Sequence, residues 1–113
     1  MAGVFTKTAE ASLLGGFKAV VGTLAMDSSY PTNGESVDMS SYFPGGSVYF
    51  GFGFNHGAAA GYFFIHNGGT AAAGKILAFE GDFDPAAVAP LIECINTRDL
   101  SGVTACPMVF LGN

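Results

Sequence analysis

Charge is what this chain has least of. Only 12% of its 113 residues are Asp, Glu, Lys or Arg, against roughly 25% in an ordinary soluble domain. Cations are scarcest: four Lys and Arg stand against nine Asp and Glu, for a formal net charge of −5. Non-specific binding to nucleic acid or to an anionic membrane rests on clustered cations, so neither is expected as a partner. Cysteine is confined to Cys94 and Cys106, with no second pair at metal-ligand spacing. The two could bridge a hairpin in an oxidising compartment; without an export signal they read as buried thiols packed like small hydrophobes. A long apolar run is also missing. The stretch from Ala11 to Met26 is interrupted by Lys18 and thinned by Gly15, Gly16 and Gly22, which leaves it short of the about 20 residues of a spanning helix. It also lacks the basic start and unbroken apolar centre of a secretory signal. Tryptophan is absent altogether.

What the chain does have is apolar mass. Half of it is hydrophobic, with 17 glycines and 11 phenylalanines, enough to fill the core of one domain at this length. With so few charges, much of its surface must be neutral or apolar, and surfaces of that kind are commonly kept from water by a partner.

Residues 1–15 carry no clear period and read as an N-terminal arm or a short helix, in which Ala9, Ala11, Leu13 and Leu14 form a turn or two before Gly15 and Gly16 stop it. Residues 16–113 read as a single β-domain. From Phe17 the pattern alternates: Phe17, Ala19 and Val21 point one way, Val20, Leu24 and Met26 the other, with a bulge or slip at Gly22. The run 28–35 is a dense turn signal in which Asn33-Gly34 supplies positive φ. Asp38 caps one short turn that ends at Pro44-Gly45-Gly46. The strand from Ser47 to Asn55 places Val48, Phe50, Phe52 and Phe54 on a core face, opposite Tyr49, Gly51, Gly53 and Asn55. Gly61 to His66 and Lys75 to Glu80 follow as the second and third strands of an antiparallel meander. Asp84 and Pro85 open one helical turn. Strands from Leu91 to Asn96 and from Val103 to Leu111 close the chain, Pro107 marking an edge or a bulge. The expected fold is all-β, a small antiparallel β-sandwich or jelly-roll-like barrel with an N-terminal arm.

Catalysis needs a nucleophile, a base and a means of stabilising charge, and no constellation supplies them. His56 and His66 read as exposed loop residues. His66-Asn67 beside a carboxylate makes a weak metal site, and Glu80, Asp82 and Asp84 read as a solvated acidic turn rather than a calcium loop. The glycine pairs precede no phosphate-binding Lys-Ser/Thr on a helix. The expectation is a non-enzymatic chain with no cofactor and no metal.

Two ordered motifs carry a resemblance. Gly22-Thr23-Leu24-Ala25-Met26-Asp27-Ser28 runs into Ser29-Tyr30-Pro31-Thr32-Asn33-Gly34-Glu35, and Asp99-Leu100-Ser101 precedes a closing apolar strand that ends in Gly112. In this the chain resembles the head decoration, or cement, proteins of tailed bacteriophages, which share an early Ser-Tyr-Pro-Thr-Gly-Gly-Glu-like turn and a late Asp-Leu-Ser turn. It departs from them at Asn33, where glycine is usual, and in the Ala/Gly-rich turns 55–60 and 67–74. The resemblance implies a protein on the capsid exterior, assembled in the bacterial cytoplasm, that bridges major capsid protein subunits and is itself oligomeric, a trimer in the first instance. It makes Phe5, Leu13 and Leu14 candidate anchors to the capsid or to other copies, since an arm without a core of its own gains order by docking; folding back onto its own sandwich is the alternative. Two other functions fit the sequence: a β-domain of the phage tail or baseplate, and a lectin-like module that stacks sugars on Tyr42, Tyr49 and Tyr62.

Overall fold

The alternating segments become strands of one antiparallel sheet in the computed structural model, which describes residues 4–31, 33–55, 61–81, 91–94 and 99–113. The strands are β1 (Val4–Ser12), β2 (Lys18–Ala25), β3 (Glu35–Ser36), β4 (Ser47–Asn55), β5 (Tyr62–His66), β6 (Gly69–Thr70), β7 (Lys75–Gly81), β8 (Leu91–Glu93) and β9 (Cys106–Gly112). Their order across the curled sheet is β1-β2-β9-β4-β5-β7-β3, with β6 on β4 and β8 on β7. The expected meander is present as β4-β5-β7, and the last strand, β9, inserts between β2 and β4. No α-helix occurs among the described residues. The turn expected after Asp84 and the side chain of His56 lie outside them.

The segment read as an arm or helix is the edge strand β1, antiparallel to β2 from Val4↔Ala25 to Ser12↔Lys18. A two-turn helix is marginal in isolation. Gly15 and Gly16 take φ of 83° and 82°, so the chain reverses there and the preceding residues gain a ladder partner instead. The irregularity expected at Gly22 lies on the facing strand, where the register shifts between Lys7 and Ala9. The extra residue, Thr8, donates its hydroxyl to the Val21 carbonyl at 3.1 Å.

Residues 26–31, 37–46 and 99–103 lie outside the sheet and share its core, giving an all-β, sandwich-like arrangement of a sheet and a loop layer. Tyr30, Val37, Met39, Phe43, Leu100 and Val103 are buried in the same cluster as Val20, Leu24, Phe64, Ile76, Met108 and Phe110 of the sheet. Three Asp-x-Ser turns shape this layer. Asp27, Asp38 and Asp99 each accept the backbone N–H two residues on, at 3.0, 2.9 and 3.0 Å. The early and late motif turns meet, since Leu100 N–H donates to the Asp27 carbonyl at 3.0 Å. Asn33 and Gly34 take the positive φ expected of them, 74° and 112°. Tyr30 ties the layer to the sheet: its hydroxyl donates to Glu93 Oε2 at 2.7 Å and accepts Ala78 N–H at 3.1 Å. Burial, reinforced by the Glu93 carboxylate, pushes the Tyr30 phenol well above its usual range, which keeps that proton in place as a donor.

Two expectations about β4 and β9 are overturned. Val48 is buried, but the register against β9 shifts between Val48 and Phe50. Past this bulge Phe50, Phe52 and Phe54 face outward, 45%, 41% and 58% exposed. Gly51 and Gly53 face the core instead, because β9 fills the space above them. A Cβ on Gly51 would overlap the Phe110 ring, and one on Gly53 would overlap the Met108 sulfur and the Pro107 carbonyl. Pro107 is on a central strand rather than an edge. It is tolerated because the ladder from β9 to β4 ends at Met108, one residue before it is reached, so its missing N–H falls at the strand's beginning.

Candidate interaction surface

The sheet has one covered face and one face that nothing covers among the described residues. Strand register builds the outer face row by row. Val21 pairs with Val109, Val109 with Phe52, Phe52 with Ile65 and Ile65 with Leu77, a line of apolar side chains across five strands. Ala19, Leu111 and Phe50 form a second row on one side. Phe54, Phe63 and Phe79 form a third on the other. Neighbouring rings touch: Phe50 stacks with Phe52 at 6.1 Å between centroids, and Phe54 meets Phe63 at 4.8 Å. At the bulge Tyr49 sits edge-on to Phe17 at 5.6 Å. Between Phe52 and Phe54 lies an apolar hollow of about 220 Å³, floored by Gly53 and Met108 and walled by Val21, Pro107 and Val109.

Charge is kept to the far end of this face, where Lys75 shares the outward parity of Leu77 and Phe79 on β7. On β1, β2, β9, β4 and β5 the outward positions after each strand's start hold only Val, Thr, Ala, Pro, Leu, Ile, Phe and Tyr49. Lys7 and Glu10 share the inward parity of Phe5, at the free edge. There Glu10 lies 3.0 Å from Lys18 and 3.4 Å from Lys7. The Lys18 ammonium holds the Glu10 carboxyl below its usual range. Asp38 and Asp99 are likewise held low by hydrogen bonds from Ser40 and Ser101 in the loop layer.

The sequence-derived anchor residues part company. Phe5 belongs to the core: it is 8% exposed and packs edge-on against Phe110 at 4.9 Å and Tyr42 at 5.7 Å. This is the fold-back alternative: the glycine turn that forms β1 lays the Phe5 ring over Gly22, against the core of its own sheet. Leu13 and Leu14 stay at the β1–β2 hairpin tip, and Leu14 is 95% exposed. The three tyrosines of the lectin reading are not brought together. Tyr42 packs on Phe5, Tyr49 on Phe17 and Tyr62 on Phe64. The residues that sequence reasoning missed as surface are Phe50, Phe52 and Phe54. Their signal was present in the alternating Gly51 and Gly53, since a strand face made of glycine suits a neighbour's large side chains.

His66 is a further correction. It ends β5 buried rather than in an exposed loop, its Nδ1 accepting Gly68 N–H at 3.0 Å and its ring edge-on to Phe110. Nε2 is directed at Gly74 with no hydrogen-bond partner, and burial pushes the imidazole's pKa down. Cys94 and Cys106 are buried thiols outside any disulfide, and burial raises the Cys106 thiol to about 11. Among the described residues no three His, Cys, Asp or Glu side chains converge as metal ligands, and no helix is long and apolar enough to cross a membrane. No protein-family model matches the chain, and no curated protein or solved structure matches it.

Proposed function

We propose that this chain is a non-enzymatic structural protein, a decoration protein that binds the outside of a phage head and stabilises it by bridging major capsid protein subunits. The observation behind this reading is the uncharged outer sheet face, from Val21 to Leu77, in a chain with so little charge elsewhere. An apolar face of that extent marks an interaction surface. The turn motifs that carry the family resemblance add to it, and both belong to the loop layer as structural turns. Head attachment is assigned to the hairpin tip, where Leu13 and Leu14 project beyond the sheet. The protein acts as an oligomer, with a trimer the first expectation, and recruits no nucleic acid, membrane or cofactor.

The test uses the full chain and phage heads lacking it. Added density on the outer head surface, together with slower head disruption on heating, is the expected result. Heads that bind no protein at saturating concentration would overturn the reading. Leu14→Asp is expected to weaken head binding without changing the fold, since Leu14 has almost no neighbours to lose.

A further inference from the structure

We infer that the outer sheet face is the surface through which one copy of this chain meets another. Three observations on the face select a second copy as its occupant. The first is charge: at a net −5, two copies approaching through most surfaces bring like charges together, whereas the outward rows of β2, β9 and β4 meet without any. The second is shape. The face carries both ridges, the rings of Phe50, Phe52 and Phe54, and a hollow of about 220 Å³ between two of them. That hollow is below the ~300–1,000 Å³ of small-molecule sites and suits one inserted side chain. A surface holding both knob and hole can receive a second copy of itself, as a two-fold contact between identical copies requires and a ring contact allows. The third is area. At roughly 200 Å² per aromatic side chain, the exposed fractions of Phe17, Tyr49, Phe50, Phe52 and Phe54 leave about 500 Å² of surface in water. The valines and half-buried residues of the same rows bring this close to the ~800 Å² per partner of a stable interface. Sheets packed face to face lie about 10 Å apart, and Leu13 and Leu14 stand beyond the last paired rung of the β1–β2 ladder, Ser12↔Lys18.

The inference rests on the preceding reading in one respect, that the chain works assembled, and its test separates the two. Mass is measured for the full-length protein across a concentration series by sedimentation or light scattering, alongside head binding on the same samples. The wild type is expected to be a multimer. Phe52→Asp is expected to weaken self-association about 30-fold or more, the size of a hot-spot loss, with the circular dichroism of the fold unchanged. Leu14→Asp is expected to leave the multimer intact. A second readout guards against misfolding of the charged variant: a nitroxide on Phe54→Cys should be broadened by a neighbouring copy, while one on Leu14→Cys should not. Cys94 and Cys106 are buried, so labelling is confined to the introduced thiol. A wild type that stays monomeric at every concentration, or a multimer indifferent to Phe52→Asp and silent at the Phe54 label, overturns the inference. A multimer of the expected behaviour that fails to bind heads overturns the decoration reading and leaves this interface standing.

Discussion

The two faces of β4 differ in a way that hydrophobicity alone would invert. One carries Val48, Gly51 and Gly53 and is buried; the other carries Phe50, Phe52 and Phe54 and is open to water. The buried face is the one with almost no side chains of its own. Its core volume comes from Phe110 and Met108 of β9 and from Tyr30, Met39 and Phe43 of the loop layer. An apolar side chain needs an apolar environment, but a second molecule can supply it as well as the interior can. Glycine can therefore mark the inside of a sheet when a neighbouring strand supplies the bulk.

The largest expected effect comes from reversing the inner face. Gly53→Val would drive a side chain into the Pro107 carbonyl, where backbone cannot yield; a loss of about 3 kcal/mol or more is expected in denaturant unfolding. Phe110→Ala should cost about 3–5 kcal/mol by opening a cavity. Phe52→Ala, made in dilute protein, should change stability by no more than about 0.5 kcal/mol. Equal losses at Phe110 and Phe52 would show that the two faces are not distinguished by burial. Next in size is Tyr30→Phe. It leaves the buried Ala78 N–H without its acceptor and removes a donor from Glu93, so a loss of about 1–3 kcal/mol is expected.

The smallest effect is a pH dependence at the inner face. His66 binds its proton less readily folded than unfolded because burial disfavours the cation. The unfolded chain therefore holds more protons below the ordinary histidine value of about 6.5, and stability should fall as pH drops from about 7 to about 5. Thermal midpoints should trace that slope, and His66→Gln should flatten it. The exposed carboxylates Glu10, Asp38 and Asp99, held low by their partners, titrate below this window.

Much of the fold was legible because it is written in local chemistry. Alternation marked β2, β4, β5 and β7, the meander followed from short turns, and Asn33-Gly34 named its own backbone conformation. The candidate surface was legible only in part. Composition pointed to an uncharged surface without saying which strand carries it, and Leu13 and Leu14 are exposed at the hairpin tip. Phe5 takes the fold-back alternative, which the sequence left open because its partners, Phe110 and Tyr42, are distant in sequence. His66 was misplaced because a histidine before an Asn-Gly-Gly turn carries no local sign of burial.

The β class and the turns were readable from the sequence because each depends on residues within a few positions of one another, and the shortage of charge is a plain sum over the chain. Which side of the sheet is the core was settled by contacts between distant strands. Period-two alternation defines two faces but assigns neither to the interior; that assignment was made by β9, sixty residues later in the chain, and by the bulge at Tyr49 that turned the phenylalanines outward.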